Sequence, residues 1–265
     1  MKVKAVRRTV QLLAFSLLFL PLVWPVNRMW FGTYLSSQAV GMALTDPLAA
    51  IEVMLAGTMI WWPLIGSMIP LLIATLLFGR VFCSWICPLN TVFELAASIR
   101  APRVRRNRNG WLPYQILVLF LLAALITNLP LFTILSPIGI LSRTVAFGVG
   151  LELLFVVALI ALEWLYDRKA WCRNLCPAGA LYGLLGKWRL VTIGIDRSHC
   201  CSCHKCRNAC TLQVDVGSHR PLDQLTCTNC GDCVDACAAK AVYFTWKSKQ
   251  KGGGVQHEFM DGITR

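Results

Sequence analysis

Eight cysteines in the last third of the chain have the types and spacing for metal chemistry. Cys200, Cys203, Cys206 and Cys210 follow C-x2-C-x2-C-x3-C, and Cys227, Cys230, Cys233 and Cys237 repeat it. Two intervening residues let three successive thiolates curl around three irons of one cube, while the fourth cysteine, opening the next helix, is carried across to the other cube. The spacing therefore predicts two [4Fe–4S] clusters. One is held by Cys200, Cys203, Cys206 and Cys237, the other by Cys227, Cys230, Cys233 and Cys210. A zinc ribbon using Cys203/Cys206 and Cys227/Cys230 would leave both x3-Cys tails unexplained. The run Cys200-Cys201-Ser202-Cys203-His204 matches c-type haem attachment in form, but it is embedded in the cluster cadence. Cys201 is then a spare thiol. Thr211 and Ala238 stand where proline often follows the fourth cysteine, a departure that removes no ligand.

Four further cysteines form a second set. Cys83 and Cys87 precede Pro88, and Cys172 and Cys176 precede Pro177, so C-x3-C-P occurs twice. Each proline suits the first residue of an interfacial helix, over Leu89–Ile99 and Ala178–Trp188. A helix N-terminus beside Cys87 and Cys176 is expected to lower their pKa. The two pairs are expected to converge on one thiolate site holding a further metal or iron–sulfur centre. Separate pairs that each dock a partner subunit, or thiols that only fill space, are the competing readings.

The elements that carry these cysteines are apolar. Hydrophobic residues make up 56% of the 265 residues, and the mean hydropathy is +0.58. Charge-poor stretches at Thr9–Asn27, Val53–Gly79, within Trp111–Thr133 and at about Ala146–Tyr166 read as four transmembrane helices. Every lysine and arginine except Arg28 and Arg143 falls in segments 1–8, 80–110 or 167–265. The positive-inside rule then puts both termini and the cysteine-rich tail on the cytoplasmic face, and no nucleic-acid partner is needed to explain a net charge of +13. The membrane part is duplicated: Pro47 stands 36 residues before Cys83, and Pro137 stands 35 before Cys172. Two spans per half make parallel repeats. Residues 1–188 are thus expected to form a four-helix membrane domain of two two-helix repeats, and 189–247 a bacterial 2[4Fe–4S] ferredoxin-like α+β module. Strands over Arg189–Asp196 and Ala241–Trp246 close that module, and a flexible tail occupies 248–265. Ionisable residues in or beside spans are functional candidates, which singles out Glu152, with Asp46 and Arg143 flanking it on the periplasmic side, for quinol or proton handling. Glu163 lies close enough to the interface to be solvated. All four histidines lie in the tail, so no pair can ligate a haem in the bilayer.

This arrangement resembles the NapH family of membrane ferredoxin-type proteins of periplasmic nitrate reductase systems. The likeness rests on Thr45-Asp46-Pro47-Leu48, on Phe82 to Asn90, on Trp171-Cys172 to Cys176-Pro177, on Gly179 to Gly186 and on both cluster runs. It extends from the first span to Trp246, and a membrane ferredoxin of methylamine utilisation shares it. The resemblance implies a quinol dehydrogenase component in the bacterial inner membrane. Its substrate would be menaquinol or ubiquinol, and its partners a periplasmic iron–sulfur subunit of NapG type and a membrane-bound cytochrome. The pathway, nitrate or methylamine, stays open. So does a different class of function, an assembly or redox-maturation factor whose C-x3-C-P thiols handle metal or reduce a substrate. A scaffold holding a partner at the membrane is the third.

Overall fold

The computed structural model describes residues 3–17, 30–32, 36–39, 42–99, 110–147, 150, 152–165, 168–216 and 221–246. Helix α1 (Val3–Leu17) is followed by an antiparallel meander, β1 (Trp30–Gly32), β2 (Ser36–Ala39) and β3 (Met42–Thr45). Asp46 then starts α2 (Pro47–Gly57). Its carboxylate accepts the amides of Leu48 and Ala49 at 3.0 and 3.2 Å, and Pro47 supplies a pre-set φ with no donor to lose. The helix stops at Thr58, in the left-handed region at φ 49°, and α3 (Trp62–Phe78) returns the chain to Arg80. The stretch Val53–Gly79, expected as one span, is therefore broken by that residue into the end of α2 and all of α3.

The second half repeats these steps. Helices α6 (Leu112–Thr127) and α7 (Leu131–Leu135) lead to Ser136, and α8 (Pro137–Phe147) and α9 (Leu153–Leu165) form the next pair. Ala50 N donates to Asp46 O at 2.9 Å, and Ile140 N to Ser136 O at 2.8 Å, so both helices open with the same turn. Each half then closes on a wide turn. After α4 (Val81–Trp85), Cys87 N donates to Phe82 O at 2.9 Å; across the π-turn Trp171–Leu175, Cys176 N donates to Trp171 O at 2.9 Å. Such i→i+5 turns recur at functional sites. The prolines behind them start α5 (Pro88–Ile99) and α10 (Pro177–Leu185), as their spacing predicts.

Among the described residues no helix is long and apolar enough to cross a membrane. The longest, α3, has 17 residues. At 1.5 Å per residue it reaches about 26 Å, against about 30 Å of hydrocarbon core. The first expected span is described only as far as Leu17, and the expected flexible tail lies outside the described residues.

The tail folds as expected at its edges. Strands β4 (Val191–Ile195) and β5 (Val242–Trp246) pair antiparallel, Ile193 facing Phe244. Between them lie α11 (Lys205–Ala209), α12 (Pro221–Thr226) and α13 (Asp232–Asp235). Ile193, Cys233 and Val242 form a small core of its own, separate from the helical core around Leu48, Phe82, Phe132 and Tyr182.

Candidate functional site

Two cavities lie back to back. The first is bounded by all four C-x3-C-P thiols, Cys83, Cys87, Cys172 and Cys176, with Asp46, Arg80, Lys169 and Tyr182. The wide turns present both sulfurs of each pair in one direction, and the duplicated halves turn them toward each other. Burial, then the neighbouring Cys83 thiol, pushes both Cys87 and Cys176 up to about 12. Cys172 is also raised, by burial and then by Cys176 and Cys87 across the site. The expected lowering of Cys87 and Cys176 is thus overturned: each sits at a helix start, and Gly179 N donates to Cys176 Sγ at 3.4 Å, but desolvation dominates. Thiols this buried are held as neutral donors until a metal displaces their protons.

Opposite them lies a pair the expectations missed. The Tyr182 hydroxyl donates to Asp46 Oδ1, with Asp46 3% and Tyr182 1% exposed. Burial raises the Asp46 carboxyl, opposed by the Tyr182 hydroxyl and the α2 amides. Asp46-Pro47 is legible as a helix start, but its partner lies 136 residues away and only packing brings it in. Asp46 therefore belongs with the cysteines rather than beside Glu152. The cause is the break at Thr58, which makes α2 and α3 a hairpin with both ends at the thiol site. Glu152 and Arg143 do meet, Oε2 to Nη2 at 3.0 Å, yet the Glu152 side chain is 60% exposed. The 13 residues of α9 separate it from the Cys172 turn, about 20 Å at 1.5 Å per residue. Glu163 is buried, not solvated, and accepts Lys169 N at 2.7 Å.

The second cavity is in the tail. Cys210, Cys227, Cys230 and Cys233 line it together, the same four assigned by spacing to one cube. Cys206, Cys237 and Cys200 lie near enough for the charges of the last two to act on the first. Cys203 lies beside Cys201 and Lys205 N. Among the described residues no three cysteine, histidine or acidic side chains are gathered as around a single metal ion. A tetrahedral ion with sulfur bonds of about 2.3 Å needs its thiolates within about 4 Å of one another. In a cube each thiolate ends on a different iron and the sulfurs stand wider apart. The all-thiol donor sets suit iron–sulfur ligation.

Leu212 and Thr228 line both cavities and form the partition between them. The contact there is hydrogen-bonded: Ser84 Oγ, inside the first C-x3-C, donates to Thr228 O at 2.9 Å, beside Cys227. Trp85 Nε1 donates to Asn229 O at 3.3 Å, and Arg80 Nη1 to the carbonyls of Leu225 and Thr226 at 3.4 Å each. Gly179 leaves the room Arg80 needs, since a Cβ there would stand 2.5 Å from Arg80 Nη2.

A family model described as a 4Fe-4S binding domain matches residues 59–107 and 149–195, once on each C-x3-C-P half. The ferredoxin-type protein NapH of Escherichia coli (strain K12) is 31% identical over 84% of this chain and 85% of its own length. NapH of Haemophilus influenzae is 33% identical over 93% and 90%. The chain belongs to the NapH family. A methylamine utilization ferredoxin-type protein, MauN of Paracoccus denitrificans, is 32% identical over 70% of this chain and 69% of its own. No solved structure matches. NapH-family membership and the 4Fe-4S match give this chain an iron–sulfur electron-transfer role. The match falls on the C-x3-C-P cysteines and ends before the tail cysteines, which begin at Cys200.

Proposed function

We propose that the protein is the membrane electron-transfer component of a quinol dehydrogenase, acting with a periplasmic iron–sulfur partner of NapG type and a membrane-bound cytochrome toward periplasmic nitrate reductase. The observation that carries this reading is the shared wall of Leu212 and Thr228, which sets the four C-x3-C-P thiols directly behind the thiols of a tail cube. Quinol oxidation releases two electrons and two protons, so it requires one-electron carriers beside a proton acceptor. Iron–sulfur centres supply the one-electron carriage when bound: two cubes in the tail and a further centre between the halves.

The chain's own residues do the rest. Asp46 Oδ1, held by Tyr182 and buried with it, is the acceptor for a quinol proton. Arg80 and Lys169 place positive charge beside the thiols and offset the charge they gain on binding metal. Membrane insertion is supported by the apolar side chains left bare along the helices. Ile69, Ile73 and Leu77 on α3, Leu119, Leu122 and Ile126 on α6, and Leu154, Val157 and Leu165 on α9 are all exposed. Four spans, the first entered through α1 and the others built on α3, α6 and α9, with both termini cytoplasmic, accommodate these faces and the basic segments. The test is anaerobic addition of a menaquinol or ubiquinol analogue to the purified protein, followed by electron paramagnetic resonance. Reduced-cluster signals are expected; their absence, with dithionite still producing them, would remove quinol from the account.

A further inference from the structure

The duplicated halves each bring a cation to the thiols: Arg80 stands three residues before Cys83, and Lys169 three before Cys172. Lys169 is already engaged. Its Nζ donates to Asn90 Oδ1 at 2.7 Å and pairs with Glu94 at 3.4 Å. Arg80, 6% exposed, forms no ion pair with a carboxylate among the described residues. Asp46, the acid in the same cavity, gives its oxygens to the Tyr182 hydroxyl and to the amides of Leu48 and Ala49. Arg80 Nε is buried with no hydrogen-bond partner, and the guanidinium charge reaches Cys83 and Cys176. The same side chain also reaches the tail, where Nη1 donates to the carbonyls of Leu225 and Thr226 at 3.4 Å each. Arg189 takes the carbonyls on either side, Gln224 at 2.9 Å and Cys227 at 3.1 Å, and Ser84 and Trp85 take those of Thr228 and Asn229. Every carbonyl from Gln224 to Asn229 is thus met by a side chain from outside the loop, and Cys227 rides on it. Of these side chains, Arg80 is the charged one that also lines the thiol cavity.

We propose that Arg80 is the positioning residue that sets the reduction potential of the centre at the C-x3-C-P thiols and holds that centre in register with the Cys210/Cys227/Cys230/Cys233 cube. The proposal rests on the iron–sulfur reading above and adds what governs the step between the two sites. That step moves one electron: one group is oxidised as the other is reduced, and no bond is made or broken. A cube with four thiolate ligands is anionic and gains a further negative charge on reduction. A buried guanidinium beside it, with a donor still free, therefore favours the reduced form. The planar fork of five donors lets one arginine serve the cavity and two carbonyls together.

The experiment is a mediated redox titration of the full-length protein, followed by electron paramagnetic resonance, in which no quinol takes part. The signal of the thiol-site centre is the one missing from Cys83→Ser/Cys172→Ser. In Arg80→Gln its ratio of reduced to oxidised form at a fixed potential is expected to fall about tenfold, about 59 mV for a one-electron couple. Arg80→Lys, which keeps the charge, is expected to recover most of that loss. Arg189→Gln, which opens the same run of carbonyls from outside the thiol cavity, is expected to leave the ratio as in the wild type. An unmoved ratio in Arg80→Gln, or an equal fall in Arg189→Gln, makes Arg80 a structural clasp and overturns the proposal while the quinol reading stands. Should Arg80→Gln lose its clusters, Gly179→Ala repeats the test with Arg80 in place, because the added Cβ would stand 2.5 Å from Arg80 Nη2 and displace it. No fall in that variant overturns the proposal as well. Failure of quinol to reduce a wild type that titrates normally removes the quinol reading and leaves the role of Arg80 standing. A wild type with no thiol-site signal takes both down together.

Discussion

Asp46 does two tasks with one carboxylate: one oxygen caps α2, and the other takes the Tyr182 hydroxyl inside the thiol cavity. Tyr182→Phe removes that donor from a buried acceptor, which costs about 1–3 kcal/mol. Urea unfolding should show the loss, with the iron content unchanged. The mechanism predicts a contrast between two carboxylates. Asp46→Asn should slow quinol-linked reduction of the tail clusters, whereas Glu152→Gln, altering an exposed ion pair at the far end of α9, should leave it at the wild-type rate. Stopped-flow spectroscopy of the two variants decides it, and equal effects would contradict the assignment. The residue scale is where sequence and structure agree unevenly. The gathering of Cys210, Cys227, Cys230 and Cys233 and of the two C-x3-C-P pairs is legible because metal ligation demands local spacing. Tyr182, Arg80 and Lys169 are not, because a buried tyrosine or a lysine carries no spacing signal until a distant partner is brought to it.

Among the elements, α1 is tied to the module by charge rather than by apolar burial. Arg7, 2% exposed, pairs with Asp232 at 3.1 Å and with Glu94 at 3.3 Å, and Lys169 reaches the same Glu94 at 3.4 Å. This cluster joins α1, α5, α13 and the approach to the Cys172 turn. Arg7→Ala would take the cation from the partly buried Asp232 and leave Glu94 with Lys169 alone, at a cost of about 3–5 kcal/mol, read as earlier release of α1 to limited proteolysis. The pH dependence has a definite sign. Burial alone would raise Glu94, but Lys169 and then Arg7 hold its pKa below the usual 4.5. A depressed folded pKa contributes stability that is fully present above the unfolded value and is lost as pH falls through the folded one. Protection of α1 should therefore persist at neutral pH and fade only in acid below that range. The helix starts at Pro47, Pro88, Pro137 and Pro177 are legible from proline and its neighbours. The break at Thr58 is marked only by Gly57 before it and Pro63 after it, inside an unbroken apolar run, and the left-handed residue is the threonine rather than the glycine.

For the whole molecule, duplication is the organising fact. Two hairpins begin at Asp46 and Ser136 and end at the two wide cysteine turns, so a pseudo-two-fold arrangement delivers four thiols to one cavity. The tail module is docked on the first of those turns. The bare apolar faces of α3, α6 and α9 predict retention in the membrane pellet after an alkaline carbonate wash, with release only by detergent; release by carbonate alone would count against insertion. The central claim is that the C-x3-C-P thiols form one site through which the tail clusters receive electrons from quinol. Its most direct test is the Cys83→Ser/Cys172→Ser variant of the full-length protein, reduced in parallel by quinol and by dithionite and observed by electron paramagnetic resonance. The account predicts that dithionite still yields both tail-cluster signals while quinol no longer does. Equal quinol reduction of variant and wild type would contradict it.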